Sequence, residues 1–333
     1  MDKRPTIKDV AARAGVSKST VSLVLQNSPL AREETKALVR RAAAELGYVR
    51  NRAAATLRGA GTGLIGLVIN DLRNPFFTEF AASAQMAFAA RGFATVIANA
   101  DEDPALQERV VAEMLEHDIS ALLISPSHGA SEAVRAIVRA GIPALQVLRR
   151  ESGSGPSLPF FSYDYAKGSI LAMGHLRDHH LRKIAFVGGI EGRGITAERQ
   201  GGYLEGMRSM GVKPLVLPGR PTRAFGRVAA ARLLQDHPDI EGAICFNDLT
   251  ALGLMTGLLE AGKLPGRDIA VVGFDDIEEA KLAHPPLTSI RCDIDAFGAR
   301  AAEILLDWLE SGVPPGPLSR VPVTLQPRAS SAL

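Results

Sequence analysis

Residues 6–26, TIKDVAARAGVSKSTVSLVLQ, leave this chain little freedom in how its first domain folds. Ile7, Val10, Ala11 and Ala14 recur at helical spacing and give one short helix a single apolar face. Thr6 stands just ahead as a candidate N-cap, its hydroxyl placed to take an orphan amide of the first turn. Gly15 permits the positive φ that a tight inter-helix turn often needs. Ser17 can cap a second helix, on which Val21, Val24 and Leu25 face inward while Lys18, Ser19 and Ser22 face out. Two short helices around a glycine turn, the second opening on small polar and basic residues, describe a helix-turn-helix. The competing reading of these residues alone is an ordinary αα-hairpin inside a larger core.

Charge distribution favours the first reading. Residues 1–60 hold 12 Lys and Arg against 5 Asp and Glu, a balance of +7, so with +2 overall the remainder of the chain carries −5. A basic head on an acidic body implies that the head meets a polyanion and the body does not. The full 333 residues suffice for two or three domains with hydrophobic cores. Two cysteines, Cys245 and Cys292, sit in apolar neighbourhoods without metal-ligand spacing and read as buried thiols of a reducing compartment. No signal peptide follows Met1 and no apolar run is long enough to span a bilayer, so the expected location is the cytoplasm.

A third helix is expected over Glu33–Leu46, ended by Gly47, with Leu38, Ala42 and Leu46 closing a small core over the first two. The alanine-rich segment from Asn51 to Arg58 is two turns long, which is marginal for an isolated helix and reads as a linker or as a segment that folds when bound. With EETKALVRRAAAELGY and NRAAATL added to the head, the chain resembles the LacI/GalR family of bacterial repressors. The resemblance implies that Lys18, Ser19 and Ser22 belong to a recognition helix, that Thr20 supports phosphate contacts, and that Thr6 and Ser17 join the DNA-binding set. It also implies a hinge helix carrying Asn51, Arg52, Ala54, Leu57 and Arg58, with Leu57 wedged into the minor groove of double-stranded operator DNA. This chain departs from the common pattern at Leu23, where many members carry Arg or His, at Arg32 and at Arg50.

From Gly63 onward short apolar runs alternate with amphipathic helices. Strands are expected over Leu64–Ile69, Ala94–Ala98, Ala121–Ile124 and Ala144–Val147, with helices beginning near Thr78, Ala105 and Ser131. A second set covers Lys183–Val187, Pro214–Leu217, Gly242–Phe246 and Ile269–Val272. Alternation of this kind predicts an α/β body of two lobes, each a parallel sheet with helices on both faces. With the resemblance, the expected architecture is a three-helix head (residues 1–49), a hinge helix and linker (50–62) and a type I periplasmic-binding-protein-like body (63–333). Its first lobe would take about 63–161 and 293–319, its second about 162–292 and 320–333.

Ligand sites in open α/β sheets lie beyond the C-terminal strand ends. Those positions carry Asn-Pro-Phe-Phe at 74–77, Arg149, the segment Phe161–Tyr165, Arg193 and Arg199, Asn247-Asp248 and Asp275-Asp276. NPFF, ERQGGY, NDLTALG, VVGFDD and PPLTSI all resemble effector-domain motifs of the same family. The resemblance implies a cleft lined by Phe76, Asp164, Arg199, Asp248 and Asp275, with Arg149 and Arg193 as neighbours. An arginine and several carboxylates can fork onto vicinal hydroxyls while Phe76 offers a face to C–H groups, so a sugar or sugar derivative is expected. Arg149 and Arg193 would favour an acidic one if they point inward, and a purine stacked on Phe76 is the alternative.

Enzyme readings find little support. Gly61-Thr-Gly63-Leu-Ile-Gly66 fits GxGxxG but precedes a strand instead of following one. His175, His179 and His180 lack an acidic partner motif, and Asp275-Asp276 lacks a nucleophile or metal-ligand set. No catalytic residue, metal or cofactor is therefore expected. A periplasmic sugar-binding protein would share the body but would carry an export signal and no such head. The expectation is a transcriptional regulator, a repressor rather than an activator, that binds a pseudo-palindrome as a homodimer. No leucine heptads of the tetramer-forming kind follow VPVTLQPRASSAL.

Overall fold

The apolar periods of the sequence become the elements of a computed structural model that describes residues 5–25, 28–48, 62–129, 131–151, 158–192, 194–318 and 320–332. The chain falls into two compact units, Met1–Thr62 and Gly63–Leu333. In the first, helices α1 (Ile7–Ala14), α2 (Lys18–Leu25) and α3 (Glu33–Glu45) pack around Val10, Ala11, Val21, Val24, Val39 and Ala42. Gly15 ends α1 at φ 66°, its amide donating to the Ala11 and Ala12 carbonyls, which is the left-handed turn a side chain would resist. One core position differs from the sequence expectation. Val39 is fully buried, whereas Leu38 is 45% exposed. The phase of α3 is set by Val39, Ala42 and the half-buried Ala43 and Leu46, which share one face at i, i+3, i+4 and i+7.

The second unit holds two sheets. Strands β1 (Leu64–Ile69), β2 (Ala94–Asn99), β3 (Ala121–Ile124), β4 (Ala144–Val147) and β5 (Phe160–Phe161) form a parallel sheet in the order β2-β1-β3-β4-β5. Its helices are α4 (Pro75–Ala90), α5 (Pro104–Glu116) and α6 (Ser131–Ala140). Leu67 and Leu123 point to one face, Val68, Leu122 and Ile124 to the other, so the sheet is buried on both sides, as parallel sheets require. Helix α4 begins at Pro75, three residues before the expected Thr78, because Asn74 caps it and proline suits a first turn.

The other sheet runs β11-β10-β9-β8-β6-β7, from strands β6 (Ile184–Val187), β7 (Leu215–Leu217), β8 (Gly242–Cys245), β9 (Ala270–Asp275), β10 (Thr288–Arg291) and β11 (Thr324–Gln326). Only the β10–β11 pair is antiparallel. Helices α7 (Tyr165–Asp178), α8 (Gly194–Ser209), α9 (Arg223–Asp236), α10 (Asp248–Glu260) and the short α11 (Glu278–Leu282) complete this lobe. Periodicity alone had not marked β5, β10 or β11, which are two to four residues long.

Helix α12 (Ile294–Ser311) returns the chain to the first lobe, packing on α4, before β11 rejoins the second sheet. The three crossings are tied together. The Tyr163 hydroxyl donates to the Asp293 carbonyl at 2.7 Å, Tyr163 bridges to Val321, and Phe297 stacks on Phe161 and Tyr163 at 4.5 and 4.6 Å. No helix of the described residues is long and apolar enough to cross a membrane.

Candidate functional site

In the first unit the outward face of the turn and of α2 carries the polar set. Thr6, Ser17, Lys18 and Ser19 are exposed; Thr20 and Ser22 are half-buried. Ser17 caps α2 by accepting the Thr20 amide at 3.1 Å, and its hydroxyl lies 2.7 Å from that of Ser19 and 2.9 Å from that of Thr20. The result is a cluster of rotatable hydroxyls and one ammonium at a helix N-terminus, the groups that meet phosphate and base edges. At Thr6 the amide and the hydroxyl both donate to the Asp9 carboxylate at 2.7 Å, which anchors the start of α1. Asn51, Arg52, Ala54, Leu57 and Arg58 lie outside the described residues, as does Arg193.

In the second unit a cavity of about 620 Å³ opens where the C-terminal ends of both sheets face each other. Phe76, Phe77, Glu102 and Arg149 line it from the first lobe, and Tyr165, Thr196, Arg199, Arg220, Phe246 and Asp275 from the second. At its base is a buried ion pair. Arg199 Nη2 donates to Asp275 Oδ1 at 2.9 Å and Nη1 to the Phe246 carbonyl at 2.6 Å. The guanidinium carbon lies 4.7, 4.8 and 4.2 Å from the ring centroids of Tyr165, Phe246 and Phe274. Such an aromatic box fixes the fork and strengthens it through cation–π attraction. Burial pushes the Asp275 carboxyl up to about 6, against the opposing pull of Arg199. Asp275 and Asp276 hold φ of 119° and 60°, a strained pair of the kind found at binding sites. Their carboxylates part, Asp275 to Arg199 and Asp276 to the half-buried Arg328 at 2.6 Å.

Two polar atoms near this base have no hydrogen-bond partner within the protein, Thr196 Oγ1 and Arg199 Nε. Buried polar groups are nearly always satisfied, so unpaired ones beside a cavity mark where a ligand or an ordered water makes up the deficit.

Of the residues expected in the cleft, Phe76, Arg149, Arg199 and Asp275 are at the wall. Asp164 and Asp248 are not, and both placements are corrected. The Asp164 carboxylate caps α7 by accepting the Lys167 amide at 3.0 Å. Asp248 is fully buried behind the wall, accepting from the Ser289 hydroxyl at 2.6 Å and the Ile277 amide at 2.9 Å, while Asn247 caps α10. Burial raises the Asp248 carboxyl well above the usual carboxylate range. Arg149 reaches the cavity already committed, Nη1 donating to both Glu102 oxygens at 2.7 and 2.8 Å. Sequence reasoning missed Arg220 and Thr196; the only local signal was that Arg220 follows a strand and precedes a helix cap. Among the described residues no group of three His, Cys, Asp or Glu is placed to hold a metal. His175 instead meets the Ser331 hydroxyl at 2.7 Å.

Known proteins share both units. Residues 6–51 match the family of bacterial regulatory proteins described as lacI family, and residues 173–331 match the periplasmic binding protein-like domain. The HTH-type transcriptional regulator CelR of Thermobifida fusca is 30% identical over 313 residues, covering 92% of each chain. The lac repressor dimer bound to operator and the anti-inducer ONPF superposes with a TM-score of 0.87 at 26% identity, covering 99% of this chain and 100% of that one. A CelR–cellobiose complex superposes with a TM-score of 0.73 at 28% identity, covering 98% and 100%.

Proposed function

The chain belongs to the lacI family of bacterial regulatory proteins and is a transcriptional regulator, not an enzyme, and we propose that it is a repressor whose body binds a sugar or sugar derivative and whose paired heads grip a pseudo-palindromic operator. The observation that carries the effector half is the cavity between the lobes, with Arg199 and Asp275 clamped at its base and unpaired polar atoms beside them. A fixed guanidinium–carboxylate pair offers donors and acceptors at the spacing of vicinal hydroxyls, and Phe76 and Phe246 supply faces for ring C–H groups. The sugar bound by one relative, cellobiose in the CelR complex, is of this chemistry.

Because both lobes line the cavity, an effector that touches both favours one lobe arrangement and so biases the spacing of the heads. Residues 1–49 are the DNA-binding head, 50–62 the hinge helix and linker, and 63–333 the effector and assembly body. Lys18, Ser19 and Ser22 read bases, Thr20 supports phosphate contacts, Thr6 and Ser17 belong to the DNA-binding set, and Leu57 wedges the minor groove with Asn51, Arg52, Ala54 and Arg58 around it. Leu57→Ala is expected to weaken operator binding by about 2–3 kcal/mol, the cost of a lost wedge and bend, with effector affinity unchanged. Gel shift on the selected operator checks this, and equal affinity for both proteins removes the wedge.

One head offers few base contacts, so specific binding needs two. The body presents a surface for pairing: the edge strand β2 leaves Val96 39% and Ile97 42% exposed, and Met86 on α4 is 65% exposed. An apolar edge of this kind is normally covered. The protein is expected to be a homodimer through the body, and light scattering that found a monomer at micromolar concentration would refute this.

A further inference from the structure

The wall of the cavity is asymmetric in charge. Arg73, Arg149, Arg199 and Arg223 each hold a carboxylate. Arg220 also lines the cavity, is exposed, and among the described residues its guanidinium has no ion-pair or hydrogen-bond partner. Its backbone is fixed. The Gly219 amide donates to the Gly189 carbonyl at 2.9 Å, and the Thr222 amide donates to the Arg220 carbonyl at 2.8 Å, one turn before α9. Gly189 at φ 85° lets this strand end approach Thr196, whose methyl carbon would lie 2.8 Å from any Cβ placed there. Arg220 thus borders the region where Thr196, only 3% exposed, has an unsatisfied hydroxyl. The N-terminus of α9 adds a partial positive charge.

A neutral sugar satisfies hydroxyl-matching groups but gives a free guanidinium nothing in exchange for the water it loses when a ligand fills the cleft. We propose that the effector carries an anionic group, a carboxylate or a phosphate on a sugar, and that Arg220 holds it at the start of α9 while Thr196 takes a neighbouring oxygen. The inference rests on the reading of this cavity as a sugar site. It moves the acidic preference from Arg149, which is spent on Glu102, to Arg220.

Calorimetry on the full-length protein tests it with three matched sets built on glucose, galactose and mannose, each comprising the neutral hexose, its uronate and its 6-phosphate. At least one acid is expected to bind more tightly than its parent hexose, and the uronate and phosphate arms identify the anion. Its affinity should fall roughly ten- to hundred-fold in Arg220→Met, the loss of one charge-assisted hydrogen bond, and largely return in Arg220→Lys. A neutral hexose that outbinds both of its acids, or acid binding unaltered in Arg220→Met, overturns the anion assignment and leaves the sugar site standing. If no member of any set binds, the sugar reading falls with it.

Discussion

Arg199→Ala is expected to abolish effector binding and to destabilise the body by about 3–5 kcal/mol at neutral pH, the usual cost of removing one partner of a buried ion pair. Arg199 is 4% exposed and holds Asp275 by a 2.9 Å hydrogen bond, while Arg149 acts on the same carboxyl through its charge alone. The pH dependence separates this cause from simple loss of packing. In the folded protein the Asp275 carboxyl sits near 6, above its ordinary 3.8. A carboxyl raised on folding contributes stability that is fully present below the unfolded value and is lost as pH rises through the folded one. Without Arg199 its share of the opposing pull vanishes and the folded value climbs further, so the defect of the variant should be largest above pH 6 and shrink towards pH 5. Denaturation at pH 5 and pH 7.5, with calorimetry on the effector, measures both parts. An equal loss of stability at the two pH values would show that packing, not the stranded carboxylate, is responsible.

Gly253→Val should be at least as damaging to the fold, although nothing polar is lost. Helices α9 and α10 touch backbone to backbone: a Cβ on Gly253 would lie 2.0 Å from the Arg223 carbonyl oxygen, and one on Gly226 2.1 Å from that of Thr250. Backbone cannot swing aside as a side-chain tip can, so the helices must part. Overpacking of a close-packed core costs about 1–3 kcal/mol when side chains can give, and a backbone clash belongs at or beyond the top of that range. These helices begin beside the cavity, at Arg223 and Asn247, so their separation should also cost effector affinity. Gly201→Ala in α8, where a Cβ meets nothing within 4 Å, is the matched control and should be neutral or stabilising by up to about 1 kcal/mol. Calorimetric melting that placed Gly253→Val beside Gly201→Ala would disprove the close-crossing argument.

What could be read from the sequence is what local periodicity and local caps encode. The head was legible because Val10, Ala11, Val21 and Val24 repeat at helical spacing around a glycine that needs positive φ, and the long strands because four to six apolar residues stood between turn signals. Short elements were not, since β5 has two residues and β11 three, too few to show a period. Site residues divide on the same principle. Arg199 and Asp275 could be named because ERQGGY and VVGFDD, near strand ends where open α/β sheets place ligands, resemble effector-domain motifs of the family. Asp164 and Asp248 stand in equally suggestive positions, yet one was taken by the Lys167 amide of its own helix and the other by Ser289 and Ile277 from distant segments. The sequence by itself therefore determined the family, the helix-turn-helix and the alternation that makes two lobes. Only the tertiary structure decided which carboxylates remain for a ligand, that Arg149 is spent on Glu102, and that Arg220 is left without a partner among the described residues. Hydrogen bonds and ion pairs between residues tens of positions apart settle those questions, and such pairings leave no periodic trace along a chain.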